Sequence, residues 1–140
     1  MSVECLLGSL LPAGVTVLLR NASGTMELRG DDLALKTSDA WLTIYHASAE
    51  GEGGSETRSH LHLRRSGLGL ARVVEKEGRT PVLEFWPSAE QIVDGARPPL
   101  AVVFPSFYDW QADKAPIPRN REWFRAWVGA HGRRFELDDA

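Results

Sequence analysis

The chain has 140 residues, 43% of them hydrophobic and 25% charged, with a formal net charge of −3. That length fits one domain over residues 1–140, and a chain of this size buries roughly two-thirds of the surface its unfolded form exposes. The negative balance argues against bulk attraction to nucleic acid or an anionic membrane, and a single cysteine, Cys5, excludes an intramolecular disulfide and a cysteine-rich zinc site.

The N-terminal stretch MSVECLLGSLLPAGVTVLLR has two short apolar patches, neither near the ~20 residues of a membrane span. It has no basic leader, and Glu4 sits where a secretory signal would want positive charge, so a cytoplasmic location without membrane insertion is expected. Ser2–Leu11 reads as a short helix. Ser2 caps it, Leu6, Leu7, Leu10 and Leu11 share a face, and Pro12 with Gly14 ends it. Val15–Arg20 and Thr25–Gly30 are strands flanking the turn Asn21-Ala22-Ser23-Gly24 and can form a hairpin. After Gly30-Asp31-Asp32 come a weak strand, Leu33–Thr37, and a strong one, Ala40–Ala47.

Residues 48–58 (SAEGEGGSETR) lack apolar periodicity and read as a mobile, solvated loop. Three strands follow: His60–Arg65, Leu70–Glu77 and Pro81–Trp86. Ser88–Gly95 holds a turn or so of helix, Leu100–Phe104 is a strand, and 105–118 is an irregular aromatic connection. A helix then runs from Arg119 or Asn120 to Ala130, with Asn120 as N-cap and Gly132 as the residue past the end. Trp123, Phe124, Trp127 and Val128, with His131, form its apolar face. Phe135 and Leu137 add a short tail strand. The pattern is α+β: a mostly antiparallel sheet of hairpin-connected strands with flanking helices.

Side chains alternate across a strand. Arg58, His60, His62 and Arg64 therefore point one way, and Leu61 and Leu63 the other. Leu42, Ile44 and His46 likewise share a face opposite Trp41, Thr43 and Tyr45. If the two strands are neighbours, His46 can approach the His60/His62 stripe. Three readings of the stripe stay open. It is a solvated strand face, a metal site built on His-x-His, or an acceptor for a flat, anionic, iron-bearing ligand held by imidazole and guanidinium groups. Trp86, Phe104, Phe107, Tyr108 and Trp110 either fill the core or line a cleft. No Gly-x-Ser-x-Gly, P-loop or dinucleotide fingerprint is present, Gly67-Leu68-Gly69 reads as a turn, and Glu75 and Glu77 read as solvating charge.

The order WLTIYHA, SHLHLRR, LARVVEKEGRTP, VLEFWP and LAVVFPS, preceded by VTVLLRNASGTMELRGD, resembles the bacterial haem-utilisation family of HemS-type proteins and shorter ChuX/HutX-type carriers. The likeness covers most of the chain between Val15 and Ser106. It implies the α+β fold of one half-unit of the long members, haem as cofactor, and a homodimer. It implies a role in haem iron utilisation, as a carrier without catalysis of its own. His60 falls where the carriers have a histidine near the haem and is the implied iron ligand, with His46 and His62 as substitutes. The second family histidine falls at Arg20, a departure that assigns Arg20, with Arg58 and Arg64, to the propionates. Two other functions compete: a non-haem interaction or scaffold domain of the same fold that has lost the ligand, and a haem-degrading oxygenase. Convergence of Arg20, His46 and His60 on one cleft is the geometry that separates them.

Overall fold

The computed structural model describes residues 1–49 and 60–138. Two helices, α1 (Val3–Leu10) and α2 (Pro118–His131), accompany eleven strands: β1 (Thr16–Asn21), β2 (Gly24–Arg29), β3 (Leu33–Ser38), β4 (Trp41–His46), β5 (His60–Arg64), β6 (Leu70–Val74), β7 (Val82–Trp86), β8 (Leu100–Val103), β9 (Tyr108–Asp109), β10 (Ala115–Pro116) and β11 (Arg134–Glu136). The class is the expected one. The strands form a six-stranded sheet in the order β11-β6-β7-β8-β1-β2, a three-stranded sheet β3-β4-β5 and the short pair β10-β9. Every pairing is antiparallel.

Local chemistry fixes the elements. The hydroxyl oxygen of Ser2 accepts from the Cys5 N–H at 3.1 Å and caps α1, whose Val3, Leu6, Leu7 and Leu10 are buried. The Asn21 side-chain oxygen accepts from the backbone N–H groups of Ser23 (2.8 Å) and Gly24 (3.1 Å), which turns β1 into β2. One cap differs from expectation. Ile117, not Asn120, precedes the first turn of α2, and Pro118 stands at the first helical position, where no N–H is needed. The Asn120 amide instead donates to the Ser106 carbonyl at 2.8 Å, tying the helix to the chain entering it. The second central strand is also shorter than expected. β6 ends at Val74, and 75–77 belong to the connection to β7.

The two larger sheets share one apolar core. Val17, Leu28, Leu83, Phe85 and Val102 of the large sheet join Leu42, Ile44, Leu61 and Leu63 of the small one, with the leucines of α1 and with Phe124 and Trp127 of α2. Phe104 packs edge-on to Phe124 and Trp127, at centroid separations of 4.8 and 5.2 Å. The Trp127 indole N–H donates to the Ser9 hydroxyl at 3.0 Å and joins the helices. Trp86, Phe104 and Phe107 are thus packing residues, whereas Trp110 is 61% exposed beneath Lys114.

The chain changes sheets between β5 and β6, through one turn of 3₁₀-helix at Arg65–Gly67. Arg65 pairs with Glu4 of α1 there. Gly69 follows, packed against the chain leaving β7. A Cβ at Gly69 would sit 2.3 Å from the Pro87 carbonyl oxygen, while its N–H donates to Trp86 O at 2.9 Å and its own carbonyl accepts from Leu137 at 3.0 Å. Gly69→Ala must displace backbone, and is expected to cost about 1–3 kcal/mol of unfolding free energy. Gly67→Ala, whose Cβ meets nothing within 4 Å, should stay within about 0.5 kcal/mol of the parent. Urea denaturation of both variants checks the contrast.

Candidate functional site

Register decides which polar residues meet. β4 and β5 pair with Tyr45 opposite His60, Thr43 opposite His62 and Trp41 opposite Arg64, and β3 adds Lys36 opposite Thr43. These residues share the sheet face turned away from the core, because Leu42, Ile44, Leu61 and Leu63 occupy the other. The β5 burial pattern alternates accordingly: His60 is half-buried, His62 and Arg64 are exposed, and the leucines between them are buried.

The two imidazoles lie edge to face, with centroids 4.7 Å apart. His62 Nδ1 is 2.8 Å from Thr43 Oγ1. In the tautomer where Nδ1–H donates to that hydroxyl, Nε2 keeps the lone pair a metal takes. The Arg64 guanidinium sits 4.9 Å above the Trp41 ring and the Lys36 ammonium 4.6 Å above the Tyr45 ring, which is itself buried. One strand face thus carries two imidazoles, two cations and two aromatic rings. The sequence had sorted Trp41, Thr43 and Tyr45 onto one face, but nothing in it said that this face adjoins the histidines, and Lys36 went unremarked.

His46 does not join them. It pairs in register with Leu33 and lies on the opposite face of β4 from Tyr45. Its Nδ1 donates to Asp32 Oδ1 at 2.7 Å, while the Ser48 hydroxyl donates to Asp32 Oδ2 at 2.6 Å. These two bonds, Ser48 first and His46 second, lower the Asp32 carboxyl from 3.8 to about 2. Gly30 is required beside them: its φ is +148°, and a Cβ there would fall 2.6 Å from Asp32 Oδ1 and 3.1 Å from the His46 ring. The Ser48 hydroxyl is spent on the carboxylate, so this is a fastening of the β2–β3 corner to the end of β4 rather than a nucleophile with its base. Asp32 and Ser48 give no site signal in the sequence: Asp32 reads as part of the turn Gly30-Asp31-Asp32, 14 residues before His46, and Ser48 as the start of the loop after it.

Arg20 is on the large sheet. It shares with Leu18 the face of β1 opposite Val17 and Leu19, turned away from the common core. Its backbone N–H donates to Pro99 O at 2.8 Å, and its side chain lines a cleft with Arg79 and Arg97. The outward faces of the two sheets lie on opposite sides of the shared core, so within one chain Arg20 and His60 do not meet. Arg20, His46 and His60 therefore do not converge on one cleft: each occupies a different surface. Arg58 lies outside the described residues. Among those described, no group of three or more histidine, cysteine, aspartate or glutamate side chains is arranged to hold a metal. No described helix is long and apolar enough to cross a membrane.

No protein-family model matches the sequence, and no curated protein sequence does. Solved structures do match in fold. One is "Crystal structure of ChuX", with a TM-score of 0.59 and 12% identity, covering 91% of this chain and 70% of that one. Another is "Structure of the Heme Binding Protein ChuX", with a TM-score of 0.59 and 11% identity, covering 91% and 71%.

The Asp32 contacts carry a pH signature. A carboxyl held at about 2 against 3.8 adds stability that is fully present above pH 3.8 and is lost as pH falls through about 2. Asp32→Asn should therefore lower the thermal midpoint at pH 7, and its gap from the parent should narrow between about pH 4 and pH 2. Parallel melts across that range check this; a gap independent of pH would show that the carboxylate is not what fastens the corner. The chain has the ChuX fold, α+β with a mostly antiparallel sheet, as the resemblance to the haem-utilisation family implied.

Proposed function

We propose that the protein binds haem on the outward face of the β3-β4-β5 sheet and carries it without transforming it. The observation that carries this reading is the His60/His62 pair, 4.7 Å apart on an outward strand face, in a chain whose fold matches that of a protein described as haem-binding. The donor set fits. A porphyrin brings four equatorial nitrogens of its own, so the protein need supply only an axial imidazole, whereas a structural zinc site would need three or four protein ligands. The same face offers Arg64 and Lys36 for propionates and Tyr45 and Trp41 for the ring.

Two histidines on one strand face lie on the same side of any flat ligand. They can supply one axial position, not both. His60 is assigned that position, because the resemblance places the family histidine there. His62, with its Nδ1 engaged by Thr43, is the substitute. A homodimer is the assembly that the resemblance implies. A cytoplasmic carrier in haem iron utilisation is the role that follows. The scaffold reading keeps one observation in its favour: a guanidinium, which cannot ligate iron, stands at Arg20.

Titration of the purified protein with hemin tests the reading. A saturable Soret shift is expected in the parent, with affinity at least tenfold weaker in His60→Ala and close to parental in His62→Ala. The reverse ranking would move the ligand to His62. No saturable shift in the parent would leave the scaffold reading standing. A dimer mass in solution by light scattering is the companion expectation.

A further inference from the structure

A second polar surface lies on the other side of the molecule. The outward face of the large sheet bears a cleft of about 390 Å³. Three separate segments bring cations to it: Arg20 from β1, Lys76 and Arg79 from the β6–β7 connection, and Arg97 from the connection into β8. Among the described residues none of these four side chains forms an ion pair. Glu84 is the one acid among the described residues of the lining, and it is already engaged: its Oε1 accepts from Arg72 Nε at 3.0 Å and from the Trp86 indole N–H at 3.1 Å. The buried Arg20 Nε has no hydrogen-bond partner among the described residues.

The floor between these cations is mixed, with the Glu84 carboxylate beside three apolar side chains. Leu18, Val82 and Ala101, which share the outward face, line it. Converging cations with no free acid call for an acceptor-rich group bearing more than one negative charge, because forked guanidinium donors match carboxylate and phosphate oxygens. The apolar side chains call for a hydrocarbon or aromatic body attached to that group.

We propose that this cleft is a binding site for a small amphipathic dianion, a phosphate monoester or dicarboxylate on an apolar body, separate from the histidine face. Arg20 and Arg97 clasp the charged group, Arg79 and Lys76 close its rim, and the body rests on Leu18, Val82 and Ala101. The site does not depend on haem binding. Its cations are held by the large sheet and its connections, and among the described residues no imidazole lines it.

Calorimetric titration of the full chain with 1-naphthyl phosphate and, separately, with naphthalene-1,2-dicarboxylate tests the site and tells the two head groups apart. Saturable one-to-one binding of at least one probe is expected, weakened at least tenfold in Arg20→Ala and in Arg97→Ala, and unchanged in Arg119→Ala on α2. Uncharged 1-naphthol should bind at least tenfold more weakly. Arg97 is exposed on a connection, so its variant reports on the site even if Arg20→Ala fails to fold. Arg97→Ala should also retain the parental hemin response, which keeps this test apart from the one for haem. Absence of saturable binding by both probes, parental affinity in Arg97→Ala, or one-to-one displacement of the probe by hemin would each overturn the proposal.

Discussion

The apolar core shared by the two sheets is the constraint on which the rest of the molecule depends. Every strand residue that does not enter it must face away from it, and the two sheets face away in opposite directions. Burial of one leucine, isoleucine or phenylalanine stabilises by about 1.5–3 kcal/mol, whereas an exposed ion pair contributes about 0–1 kcal/mol. Among the described residues, the 25 buried apolar side chains of that core therefore set the orientation of each strand, and no surface pair is strong enough to reverse it. His60 and Arg20 are on opposite sides because Leu61 and Leu63, on one strand, and Val17, on the other, are inside.

This separates what could be read in the sequence from what could not. Period-two alternation is local, so HLHLR displayed its inward leucines and outward histidines before any coordinates, and the burial of β5 follows that order. The family likeness led to the right fold. Which strand lies beside which is not local. His60–Arg64 and Leu70–Val74 are separated by five residues, yet they belong to different sheets. β1 gains its second neighbour, β8, from some eighty positions away in the chain. His46 shows the limit within one element: its parity was legible, but only the pairing of Tyr45 with His60 reveals that this parity carries it to the far face. Asn120 shows another. It has the chemistry of a cap, but Pro118 already supplies the first turn, so its amide is free to hold Ser106.

A fold shared at 12% identity constrains backbone, not chemistry; function resides in the groups grafted onto it. The groups on the two outward faces differ in kind. Imidazole has a lone pair to give a metal and a second nitrogen by which the protein can orient it, as Thr43 does for His62. Guanidinium has five donors, no lone pair to offer and a charge it does not lose. The face bearing His60 and His62 is suited to a metal, and the face bearing Arg20 only to an anion.

Haem makes both demands at once, since its iron wants an imidazole and its propionates want cations. If the two requirements were met on different sheets, no single haem could be satisfied within one chain, and Arg20 in place of a histidine would argue that binding had been abandoned. The small sheet removes that difficulty. Arg64 and Lys36 stand on the same face as His60, held above Trp41 and Tyr45, so the propionate partners need not come from β1 at all. On the proposed reading Arg20 takes no part in holding haem, and it stands on the other sheet with Arg79 and Arg97 beside it.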